Sequence, residues 1–159
     1  MLGKHHTTLV VLLLVAAGLT TGCAQKQEEA EQIVGATALS SHATGDIVWE
    51  TDWDRAISRA RAENKVVLVD FYADWCIWCK RLDATTLRDA DVRRLLAERF
   101  VPLKLEIDGD GRARARQLRV DAPPTLVVVG ADETEIGRIL GFMPPTPFLE
   151  RMDRILQTS

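Results

Sequence analysis

The sequence predicts an α/β domain of three layers, a central mixed sheet with helices on both faces, preceded by one extra N-terminal helix. Three features predict it. Val66-Val67-Leu68-Val69-Asp70-Phe71 is an unbroken β-branched and apolar run, as a central strand covered on both faces requires. Around it, segments of helical period alternate with strand-like runs in the order β-α-β-α-β-β-α, with a helix ahead of them. The 159 residues, 47% hydrophobic and 27% charged, are enough to bury one core and not comfortably two.

The N-terminus precedes the domain. Lys4 supplies a positive charge, and Leu9 to Leu19 form an uncharged apolar run of eleven residues. A bilayer span takes roughly 20 helical residues, so residues 1–22 read as a signal peptide. Leu19-Thr20-Thr21-Gly22-Cys23 resembles the lipobox of bacterial lipoproteins, in which the cysteine is lipidated. Thr20 departs from that pattern, which usually has Leu there, and ordinary cleavage after Ala24 is the alternative. Lipidation would account for the third of three cysteines in an exported chain. Residues 23–45 are rich in Gln, Glu, Ala, Ser, Thr and Gly and read as a flexible tether. The domain is expected over residues 46–159.

Within it, Trp53, Ala56, Ile57 and Ala60 recur at helical spacing. The central strand follows, and a helix is expected from the cysteine pair to about Leu87. Asp89 reads as the N-cap of a helix burying Val92, Leu95 and Leu96. Phe100 to Ile107 is the next strand and Arg112 to Leu118 a short helix. Leu126–Val129 and Glu135–Leu140 are two strands joined around Gly130-Ala131-Asp132. Thr146-Pro147 reads as the cap and first turn of a last helix burying Phe148, Leu149, Met152, Ile155 and Leu156.

The chemistry concentrates in Val69-Asp70-Phe71-Tyr72-Ala73-Asp74-Trp75-Cys76-Ile77-Trp78-Cys79-Lys80. A strand ends, a turn follows, and two cysteines sit three apart where a helix starts. That spacing puts both sulfurs on one helix face, within reach of a disulfide. At the helix start, free N–H groups and the macrodipole stabilise a Cys76 thiolate, which makes Cys76 the nucleophile and Cys79, one turn deeper, the resolving thiol. The pair could also be half of a zinc site or a redox-inert clip. Against zinc, there is no second cysteine pair, and the histidines at 5, 6 and 42 lie outside the expected domain.

This segment resembles the active site of the thioredoxin superfamily, and is most similar to the C-terminal thioredoxin-like domain of DsbD-type disulfide reductases. The resemblance covers roughly residues 47–157 and implies a redox-active Cys76–Cys79 disulfide with no other cofactor and no metal. Val120-Asp121-Ala122-Pro123-Pro124-Thr125 then matches the family's cis-proline loop, with Pro124 as the cis residue and the backbone of Pro123 facing a substrate chain. Because Pro123 has no N–H, substrate pairing there can use only its carbonyl. Trp75, either simple packing or, as the resemblance implies, a cover over the active site, joins Ile77 and Trp78 in the implied substrate-binding surface. Asp70, near the end of a buried strand, would have a raised pKa suited to taking the Cys79 proton, or it is strand-end polarity. Lys104 falls where thioredoxins place a lysine near that acid, and Gly141 matches a glycine that leaves room beside the site.

Other signals are weaker. Arg112, Arg114, Arg116 and Arg119 read as a solvated helix face, with an anion or partner patch as the alternative, and Asp108-Gly109-Asp110-Gly111 as a turn rather than a calcium loop. A net charge of −3 argues against nucleic acid as a partner.

The apolar Ile77-Trp78 dipeptide offers no cation to Cys76, and Asp74 disfavours its thiolate, so the couple is expected to be reducing. The reading is therefore a periplasmic, lipid-anchored monomer reducing disulfides of exported proteins, fed by a membrane thiol donor of DsbD type. Ala24 after Cys23 favours the outer membrane over the inner. An oxidase or isomerase with the same residues, or a non-catalytic binding module, is the alternative.

Overall fold

The structure, a computed structural model, describes residues 45–158. The signal peptide, Cys23 and most of the tether lie outside the described residues. Chain entry is by a one-residue bridge: Glu50 pairs with Leu103, its N–H donating to Pro102 (2.8 Å) and its carbonyl accepting from Lys104 (2.9 Å). Pro102 cannot donate to a ladder, which suits an edge position.

Helix α1 spans Trp53–Glu63. Asp52 caps it by accepting the Arg55 N–H at 2.8 Å, and Asn64 ends it in the left-handed region at φ 52°. Strand β1 (Val66–Tyr72) pairs parallel with β2 (Phe100–Glu106) and antiparallel with β3 (Thr125–Val129), and β3 pairs antiparallel with β4 (Glu135–Leu140). The strand order β2-β1-β3-β4 puts β1 inside a mixed sheet, as its run of apolar residues, broken only by Asp70 before Phe71 and Tyr72, requires.

Period-two alternation along β1 divides the core. Val67, Val69 and Phe71 pack with Trp53, Ile57 and Ala60 of α1 and with Ala115 of helix α4 (Arg112–Gln117). Leu68 faces the other side, with Leu82 of α2 (Ile77–Ala84), Leu96 of α3 (Ala90–Arg99), and Phe148 and Met152 of α5 (Pro145–Leu156). Each fully buried side chain of this size stabilises the fold by roughly 1.5–3 kcal/mol. The same alternation puts Asp70 on the face that α2 covers.

The second helix is shorter than expected. It stops at Ala84, and Thr86–Arg88 form a separate 3-10 turn. Thr85 Oγ1 donates to the Arg81 carbonyl at 2.7 Å, and Thr86 Oγ1 donates to the Met143 carbonyl at 2.5 Å. These hydroxyl bonds replace a further helical turn and tie the segment to the β4–α5 loop. The last helix begins at Pro145 with Pro144 at its N-cap, so Thr146 is not the cap. Pro145 at the first helical position presets φ and needs no N–H partner. Asp89 caps α3 as expected, accepting from the N–H groups of Asp91 and Val92.

Candidate active site

After β1, the Cys76 N–H donates to the Ala73 carbonyl at 3.0 Å, a tight turn that delivers Cys76 to the N-cap of α2. There Cys76 Sγ accepts the Cys79 N–H at 3.0 Å. The two sulfurs are joined in a disulfide, with Cα atoms 5.3 Å apart. Both cysteines are buried against Ala73, Tyr72 and Ile107. Once the bond is reduced, the same N–H would favour a thiolate on Cys76.

Beneath α2, the sheet register sets a charged group. Asp70 and Lys104 are direct neighbours across β1 and β2, and Lys104 Nζ lies 3.4 Å from Asp70 Oδ2. Lys104 also donates to Asp83 of α2 at 2.6 Å and lies 5.2 Å from the ring centres of both Trp49 and Tyr72. Asp70 is 1% exposed, and its Oδ1 has no hydrogen-bond partner. Burial pushes its pKa up to about 6; Lys104 opposes the rise and Asp83 adds to it. For Lys104, burial favours the neutral amine, but the carboxylates of Asp70 and Asp83 outweigh it and raise the pKa.

The peptide bond Pro123–Pro124 is cis. Pro123, Pro124, Gly141, Phe142 and Trp78 line one groove of about 310 Å³, so the residue between the cysteines and the cis-proline loop share a surface. The Gly141 N–H donates to the Pro124 carbonyl at 2.8 Å. Gly141 has φ 74°, and a Cβ there would meet nothing within 4 Å. Backbone conformation, not crowding, is therefore what calls for glycine.

The remaining site candidates lie on the surface. Ile77 and Trp75 are 74% and 69% exposed, and the Trp75 indole donates to Asp108 Oδ2 at 2.8 Å. Trp78 stacks on Phe142 with ring centres 5.9 Å apart, and the Arg81 guanidinium lies 5.4 Å and 4.8 Å from the two ring centres. Three residues of this neighbourhood are absent from the sequence reading: Asp83, Arg81 and Phe142. Asp83 follows Cys79 by four and Arg81 follows Trp78 by three, helical spacings that could have marked both. Phe142 reaches Trp78 only through the tertiary fold.

Two surface expectations are tested elsewhere in the structure. Arg114 is not simply solvated: it stacks on Trp53 at 4.3 Å and pairs with Asp54 and Glu133. The cation gains more from an aromatic face and two carboxylates than from water alone. Residues 108–111 form a turn, as expected.

A profile of the thioredoxin-like domain matches residues 53–156. The thiol:disulfide interchange protein DsbD of Ralstonia nicotianae is 31% identical over 163 aligned residues, covering 94% of this chain and 27% of that protein. DsbD of Pseudomonas fluorescens is 35% identical over 100 residues, 60% of this chain and 17% of that protein. The chain thus spans about a quarter or less of these relatives. Among solved structures, a thioredoxin from Thermus thermophilus matches at 30% identity and TM-score 0.63, covering 69% of this chain and 88% of its own. The oxidised C-terminal domain of Neisseria meningitidis DsbD matches at 27% identity and TM-score 0.58, covering 67% and 98%.

Proposed function

The chain belongs to the thioredoxin-like family, and we propose that it is a thiol-disulfide oxidoreductase whose Cys76/Cys79 dithiol reduces disulfides of exported proteins. The observation that carries the proposal is the disulfide at the start of α2, with the Cys79 N–H directed at Cys76 Sγ.

In the reaction, the Cys76 thiolate attacks one sulfur of a substrate disulfide and expels the other substrate sulfur as a thiolate. Cys79 gives its proton to Asp70 and attacks Cys76 Sγ, releasing the second substrate thiolate and closing the Cys76–Cys79 disulfide. Two electrons pass from the dithiol to the substrate. With a pKa of about 6, Asp70 is ionised at neutral pH and close enough in proton affinity to act as a base. Lys104 restrains that pKa and balances the charge. The groove beside Pro123 and Pro124, flanked by Trp75, Ile77 and Trp78, receives the substrate chain, with the Pro123 carbonyl as acceptor.

The reducing direction is supported by the apolar Ile77-Trp78 pair, by Asp74 beside the site, and by similarity to DsbD proteins. The dithiol is then restored by a membrane thiol donor of DsbD type. The chain is exported by residues 1–22, anchored through a lipid on Cys23, tethered by residues 23–45, and acts as a periplasmic monomer, at the outer membrane rather than the inner.

Equilibration of the full chain with thiol buffers tests the direction. The expected potential lies near the roughly −270 mV of thioredoxin; a value near the roughly −120 mV of DsbA would assign an oxidase instead. The Cys79→Ala variant, which cannot resolve, should accumulate mixed disulfides with its substrates through Cys76.

A further inference from the structure

We propose that Arg81 selects the substrate, by pairing with a carboxylate on an extended chain lying in the cis-proline groove. The inference rests on the oxidoreductase reading above and names the kind of chain that the site prefers: one with an acidic side chain close to its disulfide cysteine.

Four observations support it. The residues lining the groove, Trp78, Pro123, Pro124, Gly141 and Phe142, carry no charge, so Arg81 supplies the charge at its edge. Arg81 is exposed, and its guanidinium is held against the Trp78 and Phe142 rings. Ring contact leaves the planar N–H fork available for a carboxylate, and the held guanidinium has less freedom to lose on pairing.

Among the described residues no carboxylate pairs with Arg81. Arg138, beyond the same proline loop, is the contrast: it is bonded to Glu135 and to the carbonyls of Leu118 and Arg119. Finally, the backbone offers a substrate little. Pro123 has no N–H, and the Gly141 N–H is spent on Pro124. Selectivity therefore passes to side chains.

The test measures mixed-disulfide formation by full-length Cys79→Ala with peptides whose single cysteine is activated as a 2-pyridyl disulfide. The Cys76 thiolate attacks the peptide sulfur and releases 2-thiopyridone, which is followed by absorbance. Peptides are matched except for Glu, Gln or Lys at one of the three positions on either side of the cysteine. The Glu peptide should react roughly three- to tenfold faster than the Gln peptide at low salt, the range of a partly exposed charge-assisted pair, and Lys should be slower still. Adding Arg81→Gln should erase the ranking, and Arg81→Lys should keep part of it.

Equal rates for Glu and Gln peptides, or a ranking that survives Arg81→Gln, would overturn the proposal and leave the oxidoreductase reading standing. So would an equal slowing of all peptides accompanied by a shifted Cys76 thiolate titration, since Arg81 would then act on the nucleophile. Failure of every peptide to react would overturn both.

Discussion

The two sides of the disulfide are built on opposite physical terms. Below it, Asp70 is 1% exposed, with one carboxylate oxygen unpartnered and a lysine set against the other. Around it, Trp75, Ile77 and Trp78 stand in solvent, apolar side chains that a soluble surface would ordinarily not gather. A buried charge destabilises the fold and an exposed apolar patch invites association, so neither region is explained by stability. In the proposed mechanism the difference separates the labour: the buried side would handle a proton, and the exposed side would meet another chain.

Substitutions can break that comparison, beginning with the disulfide itself. Cys76→Ser should abolish insulin or peptide-disulfide reduction, a loss of at least about a thousandfold, because the nucleophile that splits the barrier is gone. A variant retaining full biological activity would instead indicate a binding module.

On the buried side, Asp70→Asn should slow resolution of the mixed disulfide by roughly 10²-fold at pH 7, the usual scale for losing a general base. The same variant carries a stability signature. A pKa raised from 3.8 to about 6 makes folding favour the protonated acid, so that stabilisation is complete below 3.8 and lost as the pH rises through about 6. At pH 8 Asp70→Asn should therefore be more stable than the parent, by up to about 3 kcal/mol. The gain should shrink as the pH falls below about 6 and vanish near 3.8, as denaturant midpoints across pH would register. Lys104→Met removes the cation that opposes the rise. The pH midpoint of resolution should move upward, and a downward move would remove Lys104 from the site.

On the exposed side, Trp78→Ala should raise KM for a peptide disulfide by roughly three- to tenfold, with a smaller change in kcat, since it removes contact area rather than chemistry. A kcat loss with KM unchanged would assign Trp78 to the chemical step. The smallest effect is expected at the margin of the groove. Gly141→Ala should cost about 1 kcal/mol, because φ of 74° penalises any Cβ, although the space for one is open.

Much of this site could be read from residues in order. Cys76 and Cys79 at the start of a helix, Asp70 in the central strand and the cap at Asp89 follow from short-range signals, whereas the cis bond before Pro124 follows from the family resemblance. Periodicity, spacing and hydroxyl or carboxylate caps act within one or two turns, so the chain carries them without knowing its fold. Helix α2 ends at Ala84, short of Leu87, where Thr86 bonds to Met143, a contact far along the chain. Helix α5 starts at Pro145, ahead of the Thr146-Pro147 signature, because a proline at the first helical position presets φ and needs no N–H partner.

What assembly alone decided is which distant groups became neighbours. Asp70 meets Lys104 because β1 and β2 pair in that register and no other. Lys104 is then shared with Asp83 because α2 crosses above them. Phe142 joins Trp78 and Arg81 only after β4 closes the sheet and Thr86 draws the following loop against α2. These contacts are long-range, made by strand register and layer packing. Sequence carried the cysteine pair of this protein; the fold supplied the environment of its proposed proton acceptor, Asp70, and the surface on which a partner would be chosen.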